Sequence, residues 1–278
     1  MPLVSLKDVL APALKQGHAV AGVVCLGWED ARAYVTAAND ERTPVILQAG
    51  PGCRAHTPLP VLSAMFRSLA ADSDVPVVAH LDHGYTSDEC KEAIDCGFTS
   101  VMFDGSRKPL QQNIDETAAI AELAHAADVS LEGEVGFVGY ADGESSAGTS
   151  AEEAEAFANH SGVDAMAISI GNVHLQQEQA AQIDREALSA IEAVCDMPLV
   201  IHGGSGVPAA TRLDLAMNSK ICKFNIGTEL RMAFGDALRE AVAKDPERFD
   251  RVSILKETEA PVALAARKVL SGFGFVSA

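Results

Sequence analysis

The chain is poor in several things, and each shortage excludes a class. Cysteine is scarce, six in 278 residues, with no Cys-x-x-Cys spacing and no small disulfide framework. That excludes a stapled secreted scaffold and a sequence-local zinc ribbon. Cys25, Cys53, Cys90, Cys96, Cys195 and Cys222 lie mostly in apolar surroundings and read as reduced, packed thiols of an intracellular protein. No apolar run reaches membrane length. The opening Met1-Pro2-Leu3-Val4-Ser5 lacks a basic region followed by a long apolar stretch, so no signal peptide is expected and the location is cytoplasmic. Basic residues are few, 21 Lys and Arg against 39 Asp and Glu, for a net charge of −18. A surface this acidic argues against nucleic acid and anionic membrane as partners. It leaves room for a small anion in a locally positive pocket. No Gly-x-Gly-x-x-Gly turn follows the first strand, which weighs against a doubly wound dinucleotide-binding sheet.

What is present is apolar and periodic. Hydrophobic residues make up 48% of the chain, enough for a sizeable single core, and no linker divides it. Eight continuous apolar runs, over 19–26, 45–48, 75–81, 100–103, 129–135, 165–170, 198–201 and 221–226, alternate with helical periodicities. Continuous rather than alternating runs are what buried parallel strands show. The pattern predicts a single (β/α)8 barrel spanning 1–278. An N-terminal helix over 6–16 precedes it and a helical extension over 253–270 follows, with a break expected near Pro261. An open doubly wound sheet is the alternative fold.

Val77-Val78-Ala79-His80-Leu81-Asp82-His83-Gly84 is the stretch around which the rest is organised. A buried run that ends in an acid, an imidazole and a glycine is delivering side chains to a site. As neighbours in extended chain, Asp82 and His83 are expected to point to opposite sides. Other strand ends repeat the theme, with Asp104, Glu132, Glu134, His174, His202 and Asn225. In a barrel these ends converge on one face, where three histidines can make an open metal site. The alternative is that each histidine only caps its own strand.

Two further patterns point to an anion. His202-Gly203-Gly204-Ser205-Gly206 leaves the seventh strand, and Asn225-Ile226-Gly227-Thr228 leaves the eighth. Small residues let backbone N–H groups approach a phosphate, Ser205 adds a hydroxyl, and Arg231 adds charge one turn into the following helix. The loop over 137–149 is long for a βα turn and carries Asp142 and Glu144. It reads either as a lid bringing a carboxylate to substrate or as a solvated surface loop.

The motifs His80-Leu81-Asp82-His83-Gly84, Glu132-Gly133-Glu134-Val135-Gly136, Ile170-Gly171-Asn172-Val173-His174, His202-Gly203-Gly204-Ser205-Gly206 and Asn225-Ile226-Gly227-Thr228-Glu229 resemble, in order, those of class II fructose-bisphosphate/tagatose-bisphosphate aldolases. The segment 92–104 resembles the family as well. The resemblance implies a zinc-dependent barrel lyase, a homodimer or homotetramer, that makes or breaks a carbon–carbon bond in a phosphorylated ketose. Its partners would be that ketose and an aldehyde, with dihydroxyacetone phosphate or a close relative as the enediolate-forming half. It implies His83, His174 and His202 as zinc ligands and Asp82 as the acid/base. Asp104 and Glu134 match a second, buried divalent position. Gly203, Ser205, Asn225, Gly227 and Thr228 would hold the phosphate, and Asp142 falls where the family's loop carries its proton-abstracting Glu. A barrel that binds a sugar phosphate without turnover, as sensor or subunit, is the alternative function.

The sequence departs from the family in its substrate shell. The family's Phe-Asn-x-x-Asn after the first strand is Val23-Val24-Cys25-Leu26-Gly27 here. The Ser or Thr after the second strand is Gly50, the Gly after the strand-six histidine is Leu175, and the Asp after the strand-eight Asn-Ile is Gly227. These changes predict a poor fit for fructose 1,6-bisphosphate and a preference for a less hydroxylated phosphorylated ketol.

Overall fold

The computed structural model describes residues 3–275. Eight parallel strands close into a barrel in chain order. They are β1 (Val20–Val24), β2 (Val45–Ala49), β3 (Val77–Gly84), β4 (Ser100–Phe103), β5 (Ser130–Val135), β6 (Ala165–Ile168), β7 (Leu199–Ile201) and β8 (Ile221–Ile226). β8 pairs back onto β1 in parallel, which excludes the open sheet. The apolar runs are continuous because both faces of each strand are covered, by helices outside and by packed side chains within.

Helices α1 (Leu6–Gln16), α2 (Trp28–Glu41), α3 (Pro51–His56), α4 (Leu59–Ala71), α5 (Ser87–Cys96) and α6 (Leu110–Ala126) occupy the first half of the chain. The second half adds α7 (Ala151–His160), α8 (Arg185–Val194), α9 (Ala209–Asn218), α10 (Thr228–Lys244) and α11 (Arg251–Leu270). Several starts are written locally. Ser5 with Asp8, Thr86 with Glu89 and Ser150 with Glu153 form reciprocal capping boxes that satisfy orphan N–H groups. Leu6, Val9, Leu10 and Ala13 of α1 pack beneath the barrel against Val20, Ile46, Val78, Ala165 and Val200, closing its N-terminal end. That closure leaves the opposite rim free for chemistry.

The structure corrects two expectations and adds a short helix. α11 runs unbroken through Pro261, because the buried Val262, Ala266, Val269 and Leu270 hold both halves of the helix to the body of the protein. α3 follows β2 after Gly50 alone, with Pro51 at its first position pre-set for helix. Asp82 and His83 do not diverge. His83 has φ of 52°, and the β3–β4 register shifts between Leu81 and Gly84. This left-handed twist brings both side chains into one cleft.

Midway up the barrel the interior turns polar. Lys223, fully buried on β8, donates from Nζ to Glu132 Oε2 on β5 at 2.7 Å. His80 pairs through Nδ1 with Ser100 Oγ at 2.8 Å. Gly22 is required here, since a Cβ would lie 2.2 Å from Gln48 Oε1 and 3.0 Å from Lys223 Cε. Breaking a buried ion pair from one side strands a charge, at about 3–5 kcal/mol. Lys223→Met is therefore expected to destabilise by that amount in denaturant unfolding, and adding Glu132→Gln should recover much of it. Unchanged stability in the single variant would mean that Glu132 finds another partner.

Candidate active site

The strand ends meet at a cleft of about 280 Å³ lined by the last residues of β1, β3 and β8 and by the segments that follow β2, β3, β5, β6, β7 and β8. The imidazoles of His83, His174 and His202 converge, with ring centroids 4.7 Å apart for His83–His202, 5.3 Å for His83–His174 and 5.7 Å for His174–His202. One ligand atom from each lies within 4.8 Å of the others, and His83, Asp104 and Glu134 form a second such group.

Neighbouring groups set which nitrogen each ring presents. His83 Nδ1 sits 2.7 Å from Asp104 Oδ2, which leaves its Nε2 on the Asp82 side, 4.0 Å from Asp82 Oδ1. His202 Nε2 sits 3.1 Å from Glu132 Oε1, itself anchored by Lys223, which turns the Nδ1 of His202 inward. That Nδ1 and Glu134 Oε2 lie 3.2 Å apart, yet both are buried without a hydrogen-bond partner among the described residues. Orphaned buried donors and acceptors are costly in a native protein. The orphaned His202 nitrogen stands among three converging imidazoles and the orphaned Glu134 oxygen beside His83 and Asp104, and each group fits a divalent cation.

Charge states follow the same geometry. Burial, reinforced by the neighbouring His202 and His83, lowers the His174 pKa to about 3, so its ring stands neutral. Burial alone would raise the Asp82 carboxyl, but the positive charge around it, His83 first, holds it below its ordinary value. Gln48 Nε2 (2.9 Å) and Asn225 Nδ2 (3.2 Å) both donate to Asp82 Oδ1. Asp82 Oδ2 faces Gly50, where a Cβ would stand 3.2 Å away. An ionised carboxylate fixed by one oxygen beside a metal-type cluster can move a proton.

The anion-type loops also come together. Gly203, Ser205, Asn225, Gly227, Thr228 and Arg231 all line the cleft. Ser205 Oγ accepts from the Gly227 and Glu229 amides at 3.2 and 3.4 Å, tying the β7 loop to the start of α10. Asn225 Nδ2 gives one of its hydrogen bonds to Asp82. The loop over 137–149 is joined to the β6 end by a bridge between Tyr140 and His174, and the Tyr140 ring stacks on His174 at 5.0 Å. Asp142 is exposed and outside the cleft lining, while Glu144 pairs with Arg107 Nη1 at 2.6 Å.

Gln48, Lys223, Tyr85 and Tyr140 escaped the sequence reading. Lys223 had a signal, a lone charge inside the apolar run of β8. Gln48, next to last in β2, had a weaker one. The two tyrosines had none.

A closed parallel barrel whose C-terminal rim gathers three histidines, a poised carboxylate and glycine-rich anion loops is the architecture of a metal-assisted sugar-phosphate enzyme. The family model for fructose-bisphosphate aldolase class-II matches residues 4–276, and the chain belongs to that family. It is a metal-dependent aldolase, a carbon–carbon lyase. It is 36% identical over 262 residues to a fructose-bisphosphate aldolase of Geobacillus stearothermophilus, covering 92% of this chain and 91% of that one. To a 6-phospho-5-dehydro-2-deoxy-D-gluconate aldolase of Shouchella clausii it is 35% identical over 290 residues, covering 99% and 95%. Among solved structures it resembles the YdjI aldolase of Escherichia coli K12, with a TM-score of 0.83 at 27% identity, covering 98% and 97%.

Proposed function

We propose that the protein cleaves or forms a phosphorylated ketose with dihydroxyacetone phosphate, or a close relative, as the enediolate-forming half. His83, His174 and His202 hold a catalytic zinc ion, and Asp104 with Glu134 offers a second divalent position. The observation that carries the reading is the convergence of three imidazoles on one point, with His83 Nε2 4.0 Å from Asp82 Oδ1. Bound there, the ion would supply Lewis-acid stabilisation of the negative charge that develops on substrate oxygen.

The chain's own groups do the rest. Asp82 takes the hydroxyl proton during cleavage and returns it during synthesis. Gly203, Ser205, Asn225, Gly227 and Thr228, with Arg231, hold the phosphate at the start of α10, where backbone N–H groups and the helix dipole favour an anion. Asp142, on the exposed turn of the loop, supplies the second proton transfer when that turn closes over the cleft. The family resemblance extends the proposal to a homodimer or homotetramer working in the cytoplasm. Among the described residues, no helix is long and apolar enough to cross a membrane. A binding-only barrel is not favoured: a sensor has no need of an ionised acid held beside a metal cluster.

The test is metal analysis of the purified protein together with solvent-proton exchange into dihydroxyacetone phosphate. Bound divalent metal and exchange that stops on chelation and returns with zinc are expected. Metal-free protein that exchanges at the full rate would remove the reading.

A further inference from the structure

Resting on that aldolase reading, we infer that the aldehyde half of the substrate is uncharged and sparsely hydroxylated, held by an apolar wall running from β8 across β1 to β2, β3 and the 137–149 loop. The anion-binding groups sit at one side of the cleft, after β7 and β8. The far side is made by Pro51, Gly52 and Cys53 after β2, Tyr85 after β3 and Tyr140 on the loop.

Val24 joins the two sides. A Cβ at Gly227 would come 3.1 Å from Val24 Cγ2, and one at Gly50 would come 4.0 Å from Val24 Cγ1. The three departures at 24, 50 and 227 are thus a single surface, in which the valine isopropyl group sits beside the space that side chains at 50 and 227 would enter. Where the family pattern has hydrogen-bonding side chains, this surface offers one isopropyl group and two bare glycines.

The charges agree. Arg231 is the one lysine or arginine among the described residues lining the cleft, and the imidazole of His83 belongs to the metal-type cluster beside Asp82. Arg54, just behind the β2 side, is already engaged: it donates to the carbonyls of Ala49, Asp82 and His83 and pairs with Glu89. A second phosphate would therefore face no free positive side chain. The tyrosine faces are fixed by stacking, Tyr85 on His83 at 6.4 Å and 29°, Tyr140 on His174 at 5.0 Å and 28°. Such faces receive C–H surface and give an anion nothing.

In synthesis the hydroxymethyl carbon of dihydroxyacetone phosphate gives a proton to a base and bonds to the aldehyde carbon. The aldehyde oxygen then takes a proton, and no oxidant or reductant is consumed. The wall selects among aldehydes in that step.

The zinc-loaded enzyme should be assayed for condensation of dihydroxyacetone phosphate with propionaldehyde and with D-glyceraldehyde 3-phosphate, alongside the exchange assay above. The native protein is expected to favour propionaldehyde in kcat/KM by at least about tenfold, and Tyr85→Arg to move that ratio toward the phosphorylated aldehyde by about tenfold or more. Normal exchange with glyceraldehyde 3-phosphate preferred overturns the wall alone, as does a ratio that Tyr85→Arg leaves in place. Absent exchange overturns the aldolase reading and this inference with it.

Discussion

His202→Ala should purify without stoichiometric metal and with kcat/KM lowered on the order of 10³-fold or more, since Lewis-acid stabilisation contributes several kcal/mol and each 1.36 kcal/mol is a factor of ten. His202 is the right position to test because its two nitrogens do different work. Nε2 lies against Glu132, within a chain that ends at Lys223, and Nδ1 points at the orphaned Glu134 oxygen. Removing the ring takes away one of the three converging imidazoles and leaves Glu134 beside His83 alone. Metal content by elemental analysis, with circular dichroism to show that the barrel persists, checks the expectation. Full metal occupancy in a folded His202→Ala protein would remove this histidine from the site.

Asp82→Asn should separate chemistry from binding. The amide keeps the size of the carboxyl, and its oxygen can still accept from Gln48 and Asn225, so the fold and metal content should be preserved. What is lost is a group able to hold and return a proton, worth about 10²–10⁴-fold in turnover. The loss should fall on kcat, while affinity for a hydroxamate analogue of dihydroxyacetone phosphate stays near normal. A kcat close to that of the native enzyme would take Asp82 out of the reaction. Together the two variants distinguish a ligand, whose loss removes metal and rate alike, from an acid/base, whose loss removes rate alone.

The strands and helices were legible in the sequence because barrel strands are buried on both faces and leave unbroken apolar runs, while helices keep their 3.6-residue stripe and write their own caps. α1, β4 and β8 begin and end where the apolar pattern places them. The polar residues at the strand ends were legible for the same reason, as exceptions within apolar stretches, and the closed topology then gathers them on one rim.

Only the tertiary structure decided how those residues face one another. The left-handed turn at His83 is a choice that a non-glycine residue rarely makes, and it overrides the alternation that would have sent Asp82 and His83 apart. Asp104, Glu132 and Lys223 set the histidine nitrogens across gaps of 21 to 91 residues in sequence, which no local spacing encodes. Gln48 acquires its role from Asp82, 34 residues away. In the sequence, Val24, Gly50 and Gly227 were three separate departures from a family pattern. They become one wall because closing the barrel sets β8 against β1 and β1 against β2. Residue type and periodicity determined that the chain would be a barrel with a reactive rim; contacts between residues distant in sequence decided what that rim can hold.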